Sequence, residues 1–335
     1  MPDEELRPPA GIHHVTAMVG DAQEAVDFYA GTLGLRLVKR TVNYEDMLQH
    51  HLYFGDARGT PGTVFTVFPD PHGDPGRLGR PQPSATAFAV PAGSLDFWAD
   101  RLADHGVETT RETRFGEDLL TFSDPAGTPL ELVAVAEAEA GAAAETDAAA
   151  EPTPRTELVP EHAAIRRIRG VTLLPVNPYA TASALELLGF EHVDGAGDRV
   201  RYAKEVSGDS GVAGDTVVDV VDRDEGFGRE GPGTIHHVAL RAADQDALLA
   251  WREQFDERGF DVSDVKDRHL FHSLYARDPG GILFELATTE PGLAGVESVA
   301  ELGESLYLPD TFEPDRELIE SQLPDLELPY EIDHD

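Results

Sequence analysis

Apolar and polar residues alternate along four stretches of this chain, and each stretch opens the same succession of elements. The first run, Gly11-Ile12-His13-His14-Val15-Thr16, reads as a strand. Gly20-Asp21 follows, then a helical pattern through Ala25, Phe28, Tyr29 and Leu33. Strands are expected over 36–42, 50–54 and 63–68. The order is β-α-β-β-β, and a weak repeat of this kind decides the architecture. A second copy opens at 85–90, with a helix over 94–105, and ends in Asp124-Pro125-Ala126-Gly127 before 130–133. The third begins at Gly170, carries a helix up to Leu188-Gly189-Phe190 and closes at 217–221. The fourth opens at 234–240, has a helix over 245–258 and ends in Asp278-Pro279-Gly280 before 282–286. Gly34, Gly189 and Gly259 stand where helices should stop in a left-handed cap. The Asp-Pro-x-Gly runs predict tight turns into the last strand of copies two and four.

Composition shifts divide the chain further. Between copies two and three, 134–165 is rich in Ala, Glu, Pro and Thr and reads as an exposed linker. The expected organisation is a paired-module domain over 10–135, a linker over 136–165, a second paired-module domain over 166–290 and an acidic tail over 291–335. The recurring Leu and Pro of that tail, with a helix near 315–323, suggest a segment packed on the body.

Side-chain period selects the candidate chemistry. A strand turns alternate residues to opposite faces. Val15, Ala17 and Val19 form one face of the first strand, leaving His14 and Thr16 on the other. By the same count His237 turns away from Val238 and Leu240, and Glu285 from Phe284 and Leu286. With no cysteine in the chain, any metal must sit on His, Asp or Glu. Two imidazoles and one carboxylate make the facial triad of non-heme iron(II) oxygenases, which leaves positions for substrate oxygens and dioxygen. The intervals His14 to Asp21 and His237 to Asp244 are equal. The first strands of copies two and three offer only Thr86 and Gly170 at the ligand position. Glu131 shares the motif of Glu285 without histidine neighbours and reads as a structural carboxylate.

These features resemble the vicinal oxygen chelate (glyoxalase, bleomycin-resistance, extradiol dioxygenase) superfamily. The carrying residues are the His-His pairs on first strands and the Asp-Pro-x-Gly turn before a Glu-bearing last strand. Stretches 38–43, 51–56, 61–63 and 273–288 are similar to ring-cleaving dioxygenases acting on hydroquinones, as is the tail from Leu302 to Pro324. The resemblance implies an α+β fold of four βαβββ modules paired into two half-barrel domains. It implies an extradiol-type dioxygenase holding Fe(II), or alternatively Mn(II), on the second His of each pair, His14 and His237, with Glu285. It assigns Tyr275, ten residues before Glu285, to hydrogen bonding with a bound phenolate or the superoxide-like intermediate, and places Arg268, His13, His236 and Thr16 around the ligands. His13 or His236 would serve as acid or base. His269 and His272 read as rim residues, and His50, His72, His105, His162, His192 and His334 have no special placement. Partners are then an aromatic diol and O2, with homo-oligomerisation left open.

Two other readings stand beside this one. Glyoxalase-like isomerases or lyases use a fourth ligand from the partner module's last strand, where copy one has only 63–68, free of carboxylate. A drug- or aromatic-binding protein of the bleomycin-resistance type needs no metal triad.

Charge narrows the setting. There are 63 acidic against 26 basic residues, a formal net charge of −37. That excludes nucleic acid and anionic membranes as natural partners. It fits a chain adapted to molar salt, where the Debye length is roughly 3 Å. The first residues lack a secretory pattern, and no run approaches the ~20 apolar residues of a membrane span, so the cytoplasm is the expected location.

Overall fold

Strand-forming alternation and capped amphipathic helices yield four modules in the computed structural model, which describes residues 6–136, 157–206 and 214–330. The first contains β1 (Ile12–Val19), α1 (Ala22–Val26), β2 (Arg36–Asn43), β3 (Asp46–Gly55) and β4 (Val64–Pro69). Asp21 caps α1 by accepting from the amides of Gln23 and Glu24, and a wider π turn over Asp27–Thr32 extends it. The second contains β5 (Gln82–Pro91), α2 (Leu95–Asp104), β6 (Thr110–Arg114), β7 (Glu117–Ser123) and β8 (Pro129–Val135). The third contains β9 (Arg167–Leu174), α3 (Pro178–Leu187), β10 (Glu191–Ala196), β11 (Arg199–Lys204) and β12 (Thr216–Val221). The fourth contains β13 (Thr234–Ala242), α4 (Gln245–Glu257), β14 (Asp261–Val262), β15 (Lys266–Asp267), β16 (His272–Arg277) and β17 (Leu283–Thr288). Gly34, Gly189 and Gly259 all adopt positive φ, as helix-ending positions require.

The modules assemble into two curled sheets. One has the order β14-β16-β17-β13-β1-β4-β3-β2, with β15 on β16; the other runs β10-β11-β12-β9-β5-β8-β7-β6. Each sheet therefore takes one module from either side of the segment read as a linker: the first with the fourth, the second with the third. The seams are the antiparallel pairs β1–β13 and β5–β9. Trp98, Trp251, Phe88 and Phe255 fill the helix-facing side, all essentially buried.

The Asp-Pro-x-Gly turns bind the chain the other way. Asp124 accepts from the Thr128 amide at 2.7 Å and from the Tyr29 hydroxyl of the first module at 2.8 Å. Asp278 accepts from the Ile282 amide at 2.7 Å and from Thr181 Oγ1 of the third module at 2.6 Å. Turn aspartates thus join modules one and two, and three and four, while the sheets join one with four and two with three. Asp278→Ala would strand a buried amide and a buried hydroxyl. It should cost ~2–4 kcal/mol, read as a lower urea midpoint with an unchanged denaturant slope.

The expected linker lies mostly outside the described residues, at 137–156. Its end is not exposed: Val159, Ala163 and Ala164 are buried, and Trp98 Nε1 donates to the Ala163 carbonyl at 2.8 Å. An indole and a glycine gap close the reason: a Cβ on Gly34 would meet Val159 Cγ2 at 2.5 Å. The tail, described to residue 330, crosses the open side of the first module. Arg36 donates to the carbonyls of Val299, Ala300 and Leu302, and buried Lys39 pairs with Glu297. The helix α5 (Arg316–Gln322) seats Ile319 against Val42, Leu308 and Leu323. Among the described residues no helix is long and apolar enough to cross a membrane.

Candidate metal centre

Two β-bulges shape the seam of the larger sheet. Ile12 pairs with Leu240 and His14 with Ala239, so His13 is an extra residue in β1. Thr16 pairs with His237 and Ala17 with Ile235, so His236 is the extra residue in β13. A bulge re-aims neighbouring side chains. Here it lets both histidines of each pair contribute to one region: His13 and His14 approach Nδ1 to Nδ1 at 2.9 Å, His236 and His237 at 2.7 Å.

His14, His237 and Glu285 converge, their candidate ligand atoms all lying within 4.8 Å of one another. His14 Nε2 and His237 Nε2 are 3.3 Å apart and reach Glu285 Oε2 at 3.4 and 2.8 Å. Glu285 is fully buried, and neither of its oxygens has a hydrogen-bond partner of sound geometry. A buried carboxylate left so is costly, whereas three lone-pair donors focused on one point suit a divalent cation. Burial pushes the His237 imidazole down to about 4, against the pull of Glu285, so it is neutral and able to ligate near pH 7. Burial raises the Glu285 carboxyl, but the imidazoles of His14 and His237 outweigh that and hold it well below the usual range. Burial, with His14 beside it, pushes His13 down to about 3.

The other residues singled out by sequence gather on the His237 side. Tyr275 lies opposite Glu285 on β16, its ring 5.5 Å from that of His237 and edge-on to it. Burial holds its phenol well above the ordinary value, so it remains a donor. The Arg268 guanidinium sits over the Tyr275 ring at 5.4 Å, with Nη2 3.4 Å from its hydroxyl. These two, with His236, His237, Lys266 and Phe68, line a cleft of about 280 Å³. His236 is half-buried, and its Nε2 is 3.2 Å from Glu230. Thr16 Oγ1 lies 3.0 Å from His237 Nε2 and 2.8 Å from Thr66 Oγ1. Of the two expected rim residues, His272 donates its amide to Thr288, and His269 packs edge-on against Tyr44. His334 lies outside the described residues.

Sequence reasoning passed over His51 and Tyr53. The Tyr53 hydroxyl is 3.1 Å from His51 Nδ1, and His51 Nε2 is 3.0 Å from Thr66 Oγ1. Both face the site from β3, with Leu52 and Phe54 buried on the other face. The same period of two that selected His14 would have found them.

Register also defines what stands at equivalent places. The residue two beyond the candidate ligand histidine faces Thr66 in module one and Glu285 in module four. A hydroxyl, already hydrogen-bonded to Thr16 and His51, thus occupies the place of a fourth ligand. In the smaller sheet the same count aligns Ala87 with Glu131 and Thr172 with Asp219. The ligand positions there are Gly170 and Ala85. Thr86, the sequence-based choice, is one residue out of step, because a single-residue slip reverses a strand's faces. Both carboxylates are occupied: Glu131 by Arg114 at 2.8 Å, Asp219 by Arg199 and Arg201 at 3.0 and 2.8 Å. Glu131 is therefore structural, and the second half-barrel is closed by ion pairs where the first is open to a cation.

Comparison with known proteins agrees with this architecture. The chain is 43% identical over 323 residues to "Putative ring-cleaving dioxygenase MhqO" of Bacillus subtilis (strain 168), covering 96% of this chain and 97% of that one. It is 34% identical to the chlorohydroquinone/hydroquinone 1,2-dioxygenase of Sphingobium indicum, covering 88% and 89%. A crystal structure of a "putative dioxygenase" from Bacillus subtilis subsp. subtilis str. 168 superposes with a TM-score of 0.87 at 41% identity, covering 96% of this chain and 99% of that one. Residues 11–132 and 142–286 match one family, and with the paired βαβββ modules they establish that the chain belongs to the Glyoxalase/Bleomycin resistance protein/Dioxygenase superfamily.

Proposed function

We propose that this protein is an Fe(II)-dependent, extradiol-type dioxygenase that opens the ring of a dihydroxylated aromatic of the hydroquinone or catechol type. Both atoms of O2 enter the product as one ring carbon–carbon bond breaks. The observation that carries this reading is the fully buried Glu285 carboxylate converging with the His14 and His237 imidazoles beside a ring-sized cleft. His14, His237 and Glu285 would hold the ion, with Mn(II) an alternative occupant. Such an ion supplies electron transfer toward dioxygen and polarisation of a diol oxygen. The protein's own groups do the rest. The cleft is near the lower size limit of ligand pockets, ~300 Å³, and suits one ring with small substituents. Tyr275 donates its phenolic hydrogen toward substrate oxygen, and Arg268 and Lys266 favour the anionic diolate. Thr66 holds the Thr16 hydroxyl beside the metal-facing edge of His237, and the tail covers the open side of the first module. His13 and His236 orient the ligand imidazoles through Nδ1, the outer contact that fixes a ligand's tautomer.

Thr66 at the fourth-ligand place counts against a glyoxalase-like isomerase, and the triad itself counts against a non-catalytic binding protein. The test is oxygen uptake by anaerobically iron-loaded protein across a panel of catechols and hydroquinones. Stoichiometric uptake with at least one diol is expected; no uptake with any, from protein shown to hold iron, would refute the reading.

The acidity belongs to habitat in this account. With a net charge of −37, self-repulsion grows as the Debye length lengthens from about 3 Å at 1 M to about 10 Å at 0.1 M salt. Melting temperature should fall steadily on dilution of KCl across that range. A melting point indifferent to salt would remove the halophilic assignment and leave the catalytic one untouched.

A further inference from the structure

A second cleft, of about 570 Å³, shares no lining residue with the one beside His237. Its wall carries three arginines: Arg7 and Arg58, both exposed, and Arg241, buried on β13. Acidic residues outnumber basic ones 63 to 26 in this chain, and Arg114, Arg199, Arg201, Arg223 and Arg316 are all held by carboxylates. Among the described residues, no carboxylate comes within ion-pair distance of Arg7, Arg58 or Arg241. Arg241 Nε donates to the Ala10 carbonyl at 2.6 Å, and Nη1 reaches the Pro61 carbonyl only at 3.5 Å. Ala10 and Pro61 line the cleft as well, so these contacts hold the guanidinium in its wall. Burial, with the Arg167 guanidinium near it, pushes Arg241 down to about 10, and it stays cationic at neutral pH. A buried cation without a counter-charge is costly, and a bound anion would supply one.

Size and charge narrow the class of anion. The cleft falls within the roughly 300–1,000 Å³ of small-molecule sites, well beyond what a bare ion fills. Pro8, Pro291 and Leu293 offer an apolar side to an organic body. A guanidinium fork matches the two oxygens of a carboxylate. Glu290 in the wall and the net charge of −37 oppose a second negative charge on the ligand.

We infer that this cleft binds a small organic monocarboxylate, with Arg241 fixing the carboxylate and Arg7 and Arg58 attracting it from the rim. Neither the metal triad nor a diol takes part, so the site stands apart from the proposed ring cleavage. Titration calorimetry on the full, metal-free chain at one fixed KCl concentration tests it, with benzoate as the probe. Benzoate should bind once per chain, phenyl phosphate more weakly and neutral benzamide not at all. Arg7→Gln and Arg58→Gln, both on the surface, should each weaken benzoate several-fold. Arg241→Lys keeps the charge and loses the fork, and should weaken it further. Should Arg241→Lys fail to fold, the two exposed arginines still decide the matter. Arg268→Gln, in the diol cleft, should leave benzoate binding as in the wild type. A wild type that does not bind benzoate, binding untouched by Arg7→Gln and Arg58→Gln, or binding lost in Arg268→Gln would overturn the site. Benzamide binding as tightly as benzoate would overturn anion recognition, and tighter binding of phenyl phosphate would overturn the carboxylate class.

Discussion

Replacing Glu285 by glutamine, or His14 or His237 by alanine, is expected to abolish both iron binding and turnover while leaving a folded protein. Disturbing only the groups that orient a metal ligand typically costs ~10- to 100-fold, and under the proposed assignment these substitutions remove a ligand outright. Glu285→Gln is the most informative of the three. It conserves volume and removes the charge, so it distinguishes a ligand from a structural carboxylate. In metal-free wild type, Glu285 is buried without a sound hydrogen-bond partner, a state that costs stability. Metal-free Glu285→Gln should therefore melt no lower than metal-free wild type. Added Fe(II) or Mn(II) should raise the melting temperature of the wild type, since a ligand bound only by the native state stabilises it, and should leave the variant unmoved. A variant that kept stoichiometric iron and full activity would remove that residue from the ligand set.

The second large effect concerns Tyr275. Its place opposite Glu285, beside the His237 ring and under Arg268, puts a neutral donor in the cleft where the proposed reaction would develop negative charge. Tyr275→Phe deletes the hydroxyl and keeps the ring. The loss should fall on kcat, by ~10²- to 10³-fold or about 3 kcal/mol if the bond strengthens with the developing charge, with iron content unchanged. A Tyr275→Phe protein turning over at the wild-type rate would make Tyr275 a wall of the cleft and nothing more. A raised diol KM with unchanged kcat would assign it to ground-state binding.

What the chain reveals without its structure follows from how local each constraint is. The four modules, their helix stops and the inward positions of His14, His237 and Glu285 are set by periods of two and 3.6 and by turn residues a few positions away. The partnership of modules is not local. Nothing near β1 says that it pairs with β13 rather than β5, and the sheets in fact cross the division suggested by 136–165. The bulges at His13 and His236 are equally hidden, since an extra residue in a ladder exists only relative to the opposite strand. In β5, likewise, only the ladder to β8 shows that Ala85 and not Thr86 stands at the position equivalent to His14. The arginines that close the second half-barrel lie on neighbouring strands, so Glu131 shows its ion pair only once β7 and β8 bring Arg114 to it. His51 and Tyr53 lie on one face of β3 by strand period alone, but no doubled histidine or turn motif marks them in the sequence.

Labelled dioxygen tests the central claim most directly. Iron(II)-loaded protein, given an accepted diol under ¹⁸O₂, should consume one dioxygen per diol and yield a ring-opened product carrying two labelled oxygen atoms. Isomerisation of the glutathione adduct of methylglyoxal, with no oxygen consumed on any diol, would contradict it.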